Sequence, residues 1–263
     1  WNCARVISVI VCSIDPAKFA NVSANYAQCF PNDAHEIIGI HDAHSLCEGY
    51  NRGLAQARGD ICIFAHDDIE ILTGDVGTTL HRQLQTADVI GVAGTTRLHG
   101  MGWANSGIEF AYGAIASGVA DDYEVALFGA AVPLQTGLRA LDGVFLATRR
   151  ELAAAVGFDA QTFDGWHGYD TDFTLRSYLA GYRVAVSLDL MLIHASPANV
   201  DAEWLRYDER FRQKHGAHLT PSARPWYEIR KRVRTREEIK AAFDLPTLSA
   251  LTIEARRRAC VAS

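Results

Sequence analysis

Several features are missing from this sequence, and each absence narrows the class of protein. The 263 residues contain no apolar run of about 18 residues, which excludes a transmembrane helix, and no recognisable signal peptide. A hydrophobic share of 49% and a charged share of 21% predict a soluble globular protein with a sizeable core. The chain begins at Trp1 rather than Met, which is compatible with a processed or excised piece of a longer protein.

The paired cysteine spacing CxxC is missing as well. Three of the six cysteines lie in apolar or helical patterns. Free thiols packed in a core are typical of proteins in a reducing compartment. We therefore predict reduced core thiols and a cytoplasmic protein. The six residues are Cys3, Cys12, Cys29, Cys47, Cys62 and Cys260.

Positive charge is scarce in most of the chain. Residues 1–200 hold 11 Lys and Arg against 22 Asp and Glu, whereas residues 201–263 hold 14 against 9, for a net charge of −6. We therefore predict an acidic domain over 1–200 and a basic helical C-terminal extension over 201–263. A basic tail can pack on an acidic body, which we favour, or make peripheral contact with an anionic membrane surface. No nucleic acid partner is expected.

Apolar runs and helix signals alternate regularly in the first 96 residues. This alternation predicts an α/β fold with a mostly parallel sheet and right-handed crossovers. Residues 94–141 show little periodicity, so we expect there a functional loop or elements that the pattern does not reveal. The predicted strands are 6–12, 36–40, 60–65, 89–93, 143–148, 182–188 and 190–194, and the predicted helices begin near 15, 45, 75, 149 and 171.

The run from Ile61 to Asp68 is the most informative one. An apolar strand ends there in His66, Asp67 and Asp68. In an open α/β sheet, ligands bind beyond the carboxyl ends of the strands, so these acids face the expected crevice. Carboxylate oxygens suit Mg2+ or Mn2+, which commonly bridge a protein acid to substrate phosphates. The run predicts a metal and diphosphate site, although paired Asp residues after a strand also serve as helix caps or turn residues.

Further motifs follow in one order along the chain. The first half has Cys12-Ser13, His41-Asp42, Asn51-Arg52-Gly53, Ala57-Arg58-Gly59-Asp60 and His66-Asp67-Asp68. The second half has the run 142–150, DGVFLATRR, then 168–176, GYDTDFTLR, then 180–184, AGYRV, and His194. This set, over about residues 5–196, resembles the family 2 glycosyltransferases of the GT-A fold. The resemblance implies a mixed, mostly parallel sheet flanked by helices, with a Rossmann-like nucleotide-binding half over about 1–96 and an acceptor half over 97–200.

Two positions depart from the family pattern. The family usually has an acid where this chain has His66, and a Glu before its catalytic Asp where this chain has Tyr169. The run 165–170, GWHGYD, also looks like the acceptor loop of galactosyltransferases, whose Trp stacks on an acceptor sugar.

The resemblance implies a metal-dependent, inverting transfer of a hexosyl or N-acetylhexosaminyl group from a UDP-sugar to a carbohydrate-bearing acceptor. Asp170 is the implied general base. Asp68 and His194 are the implied ligands of a divalent metal, with Mn2+ favoured over Mg2+ because Mn2+ tolerates imidazole more readily. The candidate nucleotide-sugar contacts are Ser13, Asp42, Asn51, Arg58, His66 and Asp67. The candidate contacts to the acceptor or donor sugar are Trp103, Asp142, Gly143, Trp166 and His167.

Structural alternatives exist for several of these residues. His194 also suits a buried strand end, Asp170 a helix cap, Arg58 a surface helix and Trp103 the core. The alternative functions are a non-catalytic nucleotide-binding or glycan-binding domain, a glycoside hydrolase with two carboxylates, and a sugar nucleotidyltransferase. Residues 13–20 contain no Gly and only Lys18, which argues against the last class because it is expected to carry a Gly-rich basic loop there.

Overall fold

The apolar strands of this chain lie in the middle of a layered structure. The first strand, Val6–Cys12, has the sequence VISVIVC and five consecutive buried residues. Such a run, rather than alternating apolar and polar residues, is typical of a strand that is covered on both faces. Its side chains enter two separate apolar clusters, with Ile10 in one and Val9 and Val11 in the other. The strand is therefore the centre of a sheet with packed layers on both sides.

The computed structural model describes residues 6–107, 109–196, 200–221 and 229–261. The strands are β1 (Val6–Cys12), β2 (Ala34–Ile40), β3 (Ile61–Ala65), β4 (Ile69–Ile71), β5 (Val89–Gly91), β6 (Ala93–Thr95), β7 (Ala111–Val119), β8 (Asp122–Gly129), β9 (Leu134–Thr136), β10 (Ala140–Leu141), β11 (Phe145–Arg149), β12 (Val184–Ser187), β13 (Leu192–His194) and β14 (Ile229–Val233). The α-helices are α1 (Pro16–Cys29), α2 (Leu46–Gln56), α3 (Val76–Gln83), α4 (Arg150–Val156), α5 (Tyr169–Leu179), α6 (Ala202–His215), α7 (Arg236–Ala242) and α8 (Leu245–Val261). Short 3-10 helices cover Trp103–Ser106 and Gly216–His218.

The main sheet has seven strands in the order β2-β1-β3-β11-β5-β12-β9. β1 pairs in parallel with β2 and β3, and β12 pairs in parallel with β5, as the alternation of strands and helices predicts. β11 lies antiparallel between β3 and β5, which makes the sheet mixed. Helices α2, α4 and α5 contribute to the apolar cluster on one face, and α1 and α3 to the cluster on the other. The predicted α/β fold is confirmed.

A second sheet occupies much of the stretch without clear periodicity. Its order is β10-β6-β7-β13-β4, and β8 pairs with β7 and β14. The stretch over 94–141 therefore contains elements that the pattern did not reveal. One reason is the β7–β8 turn, where Ala120 and Asp121 adopt positive φ angles of 47° and 68° without the Asn-Gly signal usual for such turns.

The described residues after 200 lie mostly in helices, and β14 adds a strand to the second sheet. Within the described ranges, no helix has both the length and the apolar character needed to cross a membrane. Cys12, Cys29, Cys47 and Cys62 are free thiols, and the last three are buried. Cys3 and the side chain of Cys260 lie outside the part of the chain that the structure describes.

Candidate active site

Strand pairing brings distant residues to the carboxyl end of β3. The antiparallel partner β11 places Phe145 opposite Ala65, and the His66 backbone N–H donates to the carbonyl of Val144. β4 follows directly after Asp68 and pairs with β13, which places His194 opposite Ile69. Because these pairings fix the backbones, the chain positions 66–68, 142–144 and 194 meet at one edge of the main sheet.

Two histidines and one aspartate form a compact group at this edge. His66 Nδ1 lies 3.2 Å from His194 Nε2, and His194 Nε2 lies 3.2 Å from Asp68 Oδ1. His66 Nδ1 lies 3.9 Å from Asp68 Oδ1, and the three ligand atoms lie within 4.8 Å of one another. Ligands at right angles around one ion, each at about 2.1 Å, are about 3 Å apart, so these spacings fit a divalent metal. The nitrogen and carboxylate donors also suit a transition metal.

The protonation states at this group favour metal binding. Burial by itself would raise the pKa of Asp68, but hydrogen bonds from His194 and Ser196 outweigh it and hold the pKa well below its usual range. Burial, together with the neighbouring His194, lowers the pKa of His66. A neutral imidazole and an ionised carboxylate are the forms that bind metals.

Asp170 lies in the first turn of α5, beside this group. The preceding residue, Tyr169, places its hydroxyl oxygen 2.7 Å from His66 Nε2. Helix α5 approaches the strand edge closely because residue 143 is glycine: a Cβ there would lie 2.1 Å from the Tyr169 hydroxyl and 2.7 Å from the Asp170 Cβ. Gly168 precedes the helix with a φ of +81°, a conformation that favours glycine.

The carboxyl group of Asp170 has a strongly perturbed acidity. Burial, followed by the negative charge of Asp142, raises the pKa of Asp170 to about 7, although the backbone N–H of Gly143 donates a hydrogen bond to it. A general base is most effective when its pKa lies near the working pH, and such perturbed groups concentrate at functional sites. Asp170 therefore has the acidity expected of a base.

Asp142 links the predicted Trp103 to the same edge. Trp103 is 8% exposed and donates from Nε1 to Asp142 Oδ2 at 3.0 Å, while the backbone N–H of Val144 donates to Asp142 Oδ1 at 2.9 Å. The Trp103 ring also packs edge to face on Phe128, with the centroids 4.8 Å apart. Trp103 is thus both part of the core and fixed in orientation at the site.

The ends of β1 and β2 carry the predicted nucleotide contacts. Ser13 donates from Oγ to Asp67 Oδ2 at 2.7 Å, so these two side chains are joined across neighbouring strands. Asp42 is 82% exposed and accepts a 2.5 Å hydrogen bond from Arg52 of α2. The guanidinium lowers the pKa of Asp42.

Two other predicted contacts lie away from this edge. Both amide atoms of Asn51 bond to the backbone of Phe158, at 2.7 and 2.9 Å. Arg58 precedes β3 and therefore lies at the opposite end of the sheet, 81% exposed and paired with Glu36 of β2. The structure does not bring either side chain to the His66, Asp68 and His194 group.

The loop before α5 presents the last predicted contacts. Trp166 is 44% exposed, so part of its side chain is available to a ligand. His167 is half-buried and lies 6.3 Å from the ring centroid of Tyr207 in α6. Three contacts at the site were not predicted from the sequence: Ser196 with Asp68, Arg52 with Asp42, and Tyr169 with His66. Arg52 and Tyr169 belong to motifs named in the sequence, whereas Ser196 gave no signal.

Known proteins resemble this chain in sequence family and in structure. A protein-family model described as a glycosyltransferase-like family matches residues 8–218. No curated protein sequence matches the chain. A crystal structure of GalNAc-T7 with UDP, GalNAc and Mn2+ is 11% identical with a TM-score of 0.52, over 81% of this chain and 48% of that one. This chain therefore spans about half the length of that protein.

A second similar structure is the mannosyltransferase PcManGT from Pyrobaculum calidifontis in complex with GDP-Man and Mn2+. It is 14% identical with a TM-score of 0.50, over 99% of this chain and 76% of that one. At such identities the likeness shows the fold alone. Because the family model covers most of the chain and both neighbours share its architecture, this protein belongs to the glycosyltransferase-like family, is of the family 2 type and has the GT-A fold.

Proposed function

We propose that this protein is a metal-dependent inverting glycosyltransferase that moves a hexosyl or N-acetylhexosaminyl group from a UDP-sugar to an acceptor hydroxyl on a glycan, a lipid-linked glycan or a protein. The observation that carries the proposal is the adjacency of two kinds of group. His66, Asp68 and His194 converge at the carboxyl edge of the sheet, and Asp170 lies on the helix turn that contacts them. The two similar structures contain UDP or GDP-Man with Mn2+, which supports a nucleotide diphosphate sugar as the donor class.

Asp170 is the proposed general base. Its carboxylate would accept the proton of the acceptor hydroxyl as that oxygen bonds to the anomeric carbon of the donor, while the bond from that carbon to the diphosphate oxygen breaks. Attack from the side opposite the leaving group inverts the anomeric carbon. The pKa of about 7 leaves a large fraction of Asp170 ionised near neutral pH and still makes it a stronger base than an ordinary carboxylate.

Asp68 and His194 are the proposed metal ligands. A bound divalent cation would neutralise the charge that develops on the leaving diphosphate. Asp68 is 10% exposed and His194 18%, so both remain reachable from the crevice. We favour Mn2+ over Mg2+ because imidazole is a poor ligand for Mg2+.

The remaining site residues are proposed to hold the two substrates. Ser13 and Asp67, which are joined by a hydrogen bond, would face the ribose. Asp42 would accept a hydrogen bond from the uracil N–H, either after Arg52 moves away or while its carboxylate also bonds to Arg52. The exposed part of the Trp166 ring would pack on the acceptor sugar, with contributions from His167 and Gly143, since the C–H faces of sugars pack on aromatic rings. Trp103 and Asp142 would contact the donor sugar. The positions of Asn51 and Arg58 leave both out of this proposal.

We propose the same domain division as above, with a nucleotide-binding half over about 1–96, an acceptor half over 97–200 and a basic extension over 201–263 that braces the body. Cations of the extension pair with acids of the body in Arg236–Glu70, Lys214–Asp159 and Arg210–Asp164, each at 2.6 Å. These pairs support packing on the acidic body rather than membrane contact as the role of the tail. A cytoplasmic location is part of the proposal.

The test is UDP release from a panel of UDP-sugars with candidate acceptors, in Mn2+, in Mg2+ and in EDTA. Turnover of one donor that EDTA abolishes would support the proposal and identify the donor sugar. Binding of no nucleotide under any metal condition would contradict it and favour a glycan-binding domain or a hydrolase.

A matched pair of variants separates catalysis from binding. Asp170→Asn should lower turnover by about 10³-fold and leave UDP affinity within about twofold, because the proposed base does not touch the nucleotide. Asp164→Asn removes an exposed carboxylate of the same loop region, paired with Arg210 and Tyr207, and should retain activity. Equal activity of Asp170→Asn and wild type would remove Asp170 from the mechanism.

A further inference from the structure

The two positions at which this chain departs from the family pattern contact each other. The resemblance to family 2 glycosyltransferases implies an acid where this chain has His66 and a Glu where it has Tyr169. They are 103 residues apart in the chain, yet His66 Nε2 and the Tyr169 hydroxyl oxygen are 2.7 Å apart. The ring centroids are 6.3 Å apart, and Tyr169 is 5% exposed. The contact is therefore fixed within the packed base of the site, and the two departures form one structural unit.

The other nitrogen of His66 faces the proposed metal ligands. Nδ1 lies 3.2 Å from His194 Nε2 and 3.9 Å from Asp68 Oδ1. Contact with the ribose alone would not require the His66 side chain to direct a ring nitrogen at two metal-binding atoms. The spacing instead matches three ligands on one face of an octahedral ion, which are about 3 Å apart when each is about 2.1 Å from the metal.

The contact with Tyr169 also selects the required tautomer. Nδ1 can bind a metal only when the ring proton lies on Nε2. The Tyr169 hydroxyl oxygen is in position to accept that Nε2–H proton, as the second ring nitrogen of a metal-binding histidine usually donates to an oxygen. Tyr169 is neutral, so it orients the imidazole without adding a further negative charge beside Asp170 and Asp142.

We propose that His66 is a third protein ligand of the divalent metal through Nδ1, that Tyr169 positions it, and that the resulting set of two imidazoles and one carboxylate makes the site selective for Mn2+ over Mg2+. This inference rests on the proposed function and deepens its metal requirement. Two nitrogen donors disfavour Mg2+, which prefers oxygen ligands and retains its waters. An acid at position 66, as in the usual pattern, would give a set that accepts Mg2+ more readily.

The test measures the metal directly, without turnover. Purified full chain is titrated with MnCl2 and with MgCl2 by calorimetry, with and without UDP, and bound Mn2+ is examined by electron spin echo envelope modulation, which counts coordinated imidazole nitrogens through their 14N coupling. Wild type should show two imidazoles on Mn2+. His66→Asn should show one, with Mn2+ affinity at least tenfold lower. The control His218→Asn, an exposed histidine of the 3-10 helix Gly216–His218, should behave as wild type.

Two further variants test the positioning role and the selectivity. Tyr169→Phe keeps the ring and removes only the oxygen, so Mn2+ affinity should fall about tenfold while the two-imidazole signal weakens or changes. His66→Asp should lower the ratio of Mn2+ to Mg2+ affinity. Circular dichroism melts of each variant verify that the fold is retained, and comparison of two variants at the same position keeps the test valid if one fails to fold.

The outcomes separate this inference from the proposed function. Two results would overturn the role of His66 without contradicting the metal-dependent transferase. The first is a single imidazole on Mn2+ in wild type. The second is equal Mn2+ affinity in His66→Asn and wild type while Asp68→Asn loses binding. Absence of Mn2+ binding by wild type, with or without UDP, would overturn both.

Discussion

Two carboxylates on the first turn of α5 lie in opposite electrostatic surroundings. Asp170 is partly buried beside Asp142, and no cation among the described residues contacts it, so its pKa rises to about 7. Asp172 is 0% exposed and is contacted by Arg176 at 2.7 Å, Lys214 at 2.6 Å and His215 at 2.8 Å. Burial by itself would raise the pKa of Asp172, but His215, Arg176 and Lys214 lower it. Residue type and position on the helix are nearly the same, yet the neighbours give Asp170 the acidity that the proposed general base requires and give Asp172 the partners of a structural ion pair.

The largest effect is expected for activity when Asp170 becomes Asn. Positioned general bases contribute about 10²–10⁴-fold to rate, so we expect Asp170→Asn to lower kcat by about 10³-fold. Substitution of Asp172 would affect activity only through folding. Initial rates of UDP release at saturating donor measure the difference, and a drop of less than tenfold would show that Asp170 is not the base.

The next largest effect is expected for stability when Asp172 becomes Asn. Arg176 and Lys214 lose the charge of their common partner, and breaking a buried ion pair typically costs about 3–5 kcal/mol. Urea unfolding monitored by tryptophan fluorescence gives the free energy of unfolding. The control Glu203→Gln removes a half-exposed partner of Arg206 and should change that free energy by less than about 1 kcal/mol. Similar losses in both variants would mean that burial at Asp172 does not matter.

A smaller effect of opposite sign is expected for stability at Asp170. Its folded pKa of about 7 lies above the ordinary value of 3.8 for Asp, so the folded state binds a proton that the unfolded state has released between these pH values. Stability at this group is therefore full below about pH 4 and falls as pH rises through 7. Asp170→Asn should remove this fall and stabilise the protein at pH 8 by about 1–2 kcal/mol, a range reduced for partial solvation of the group. Urea unfolding at pH 5 and pH 8 measures it.

The smallest expected effect is a shift of the pH profile when Asp142 becomes Asn. Asp170 must be ionised to act as a base, so kcat should fall on the acid side of about pH 7. The charge of Asp142 is the second cause of the raised pKa, after burial. Asp142→Asn should therefore move the acid limb to lower pH. An acid limb that stays in place would show that burial alone sets the pKa of Asp170.

Local sequence predicted the elements that depend on local chemistry. Continuous apolar runs predicted β1 and β3, and Asp15 followed by Pro16 predicted the start of α1, where the Asp15 side chain caps the backbone N–H groups of Ala17 and Lys18. The hairpin β7–β8 had no such signal, because Gly and Ala blur the alternation and its turn lacks Asn-Gly. The position of Arg58 could have been predicted from the sequence, since a residue just before a parallel strand lies at the end of the sheet opposite to the site.

The arrangement of the candidate site depended on contacts between distant segments. The order of the motifs brought Asp68 and His194 together as candidate ligands, and the pairing of β4 with β13 explains their proximity. No local pattern could show that His66 faces the same point or that Tyr169 contacts it, because these relations arise only when α5 packs against the strand edge. A sequence motif identifies residue types, whereas the division of roles within it depends on tertiary packing.

The ion pairs of Asp172 also define where the chain can be cut. Lys214 and His215 belong to α6, so a fragment that stopped at residue 200 would leave Asp172 buried with Arg176 as its remaining cation. Such a fragment would carry every proposed catalytic side chain but would lack the α6 side chains that pair with the buried carboxylate of Asp172. The shortest unit that can be expected to fold by itself therefore extends through the end of α6, and expression or domain-swapping designs should place the boundary beyond residue 215.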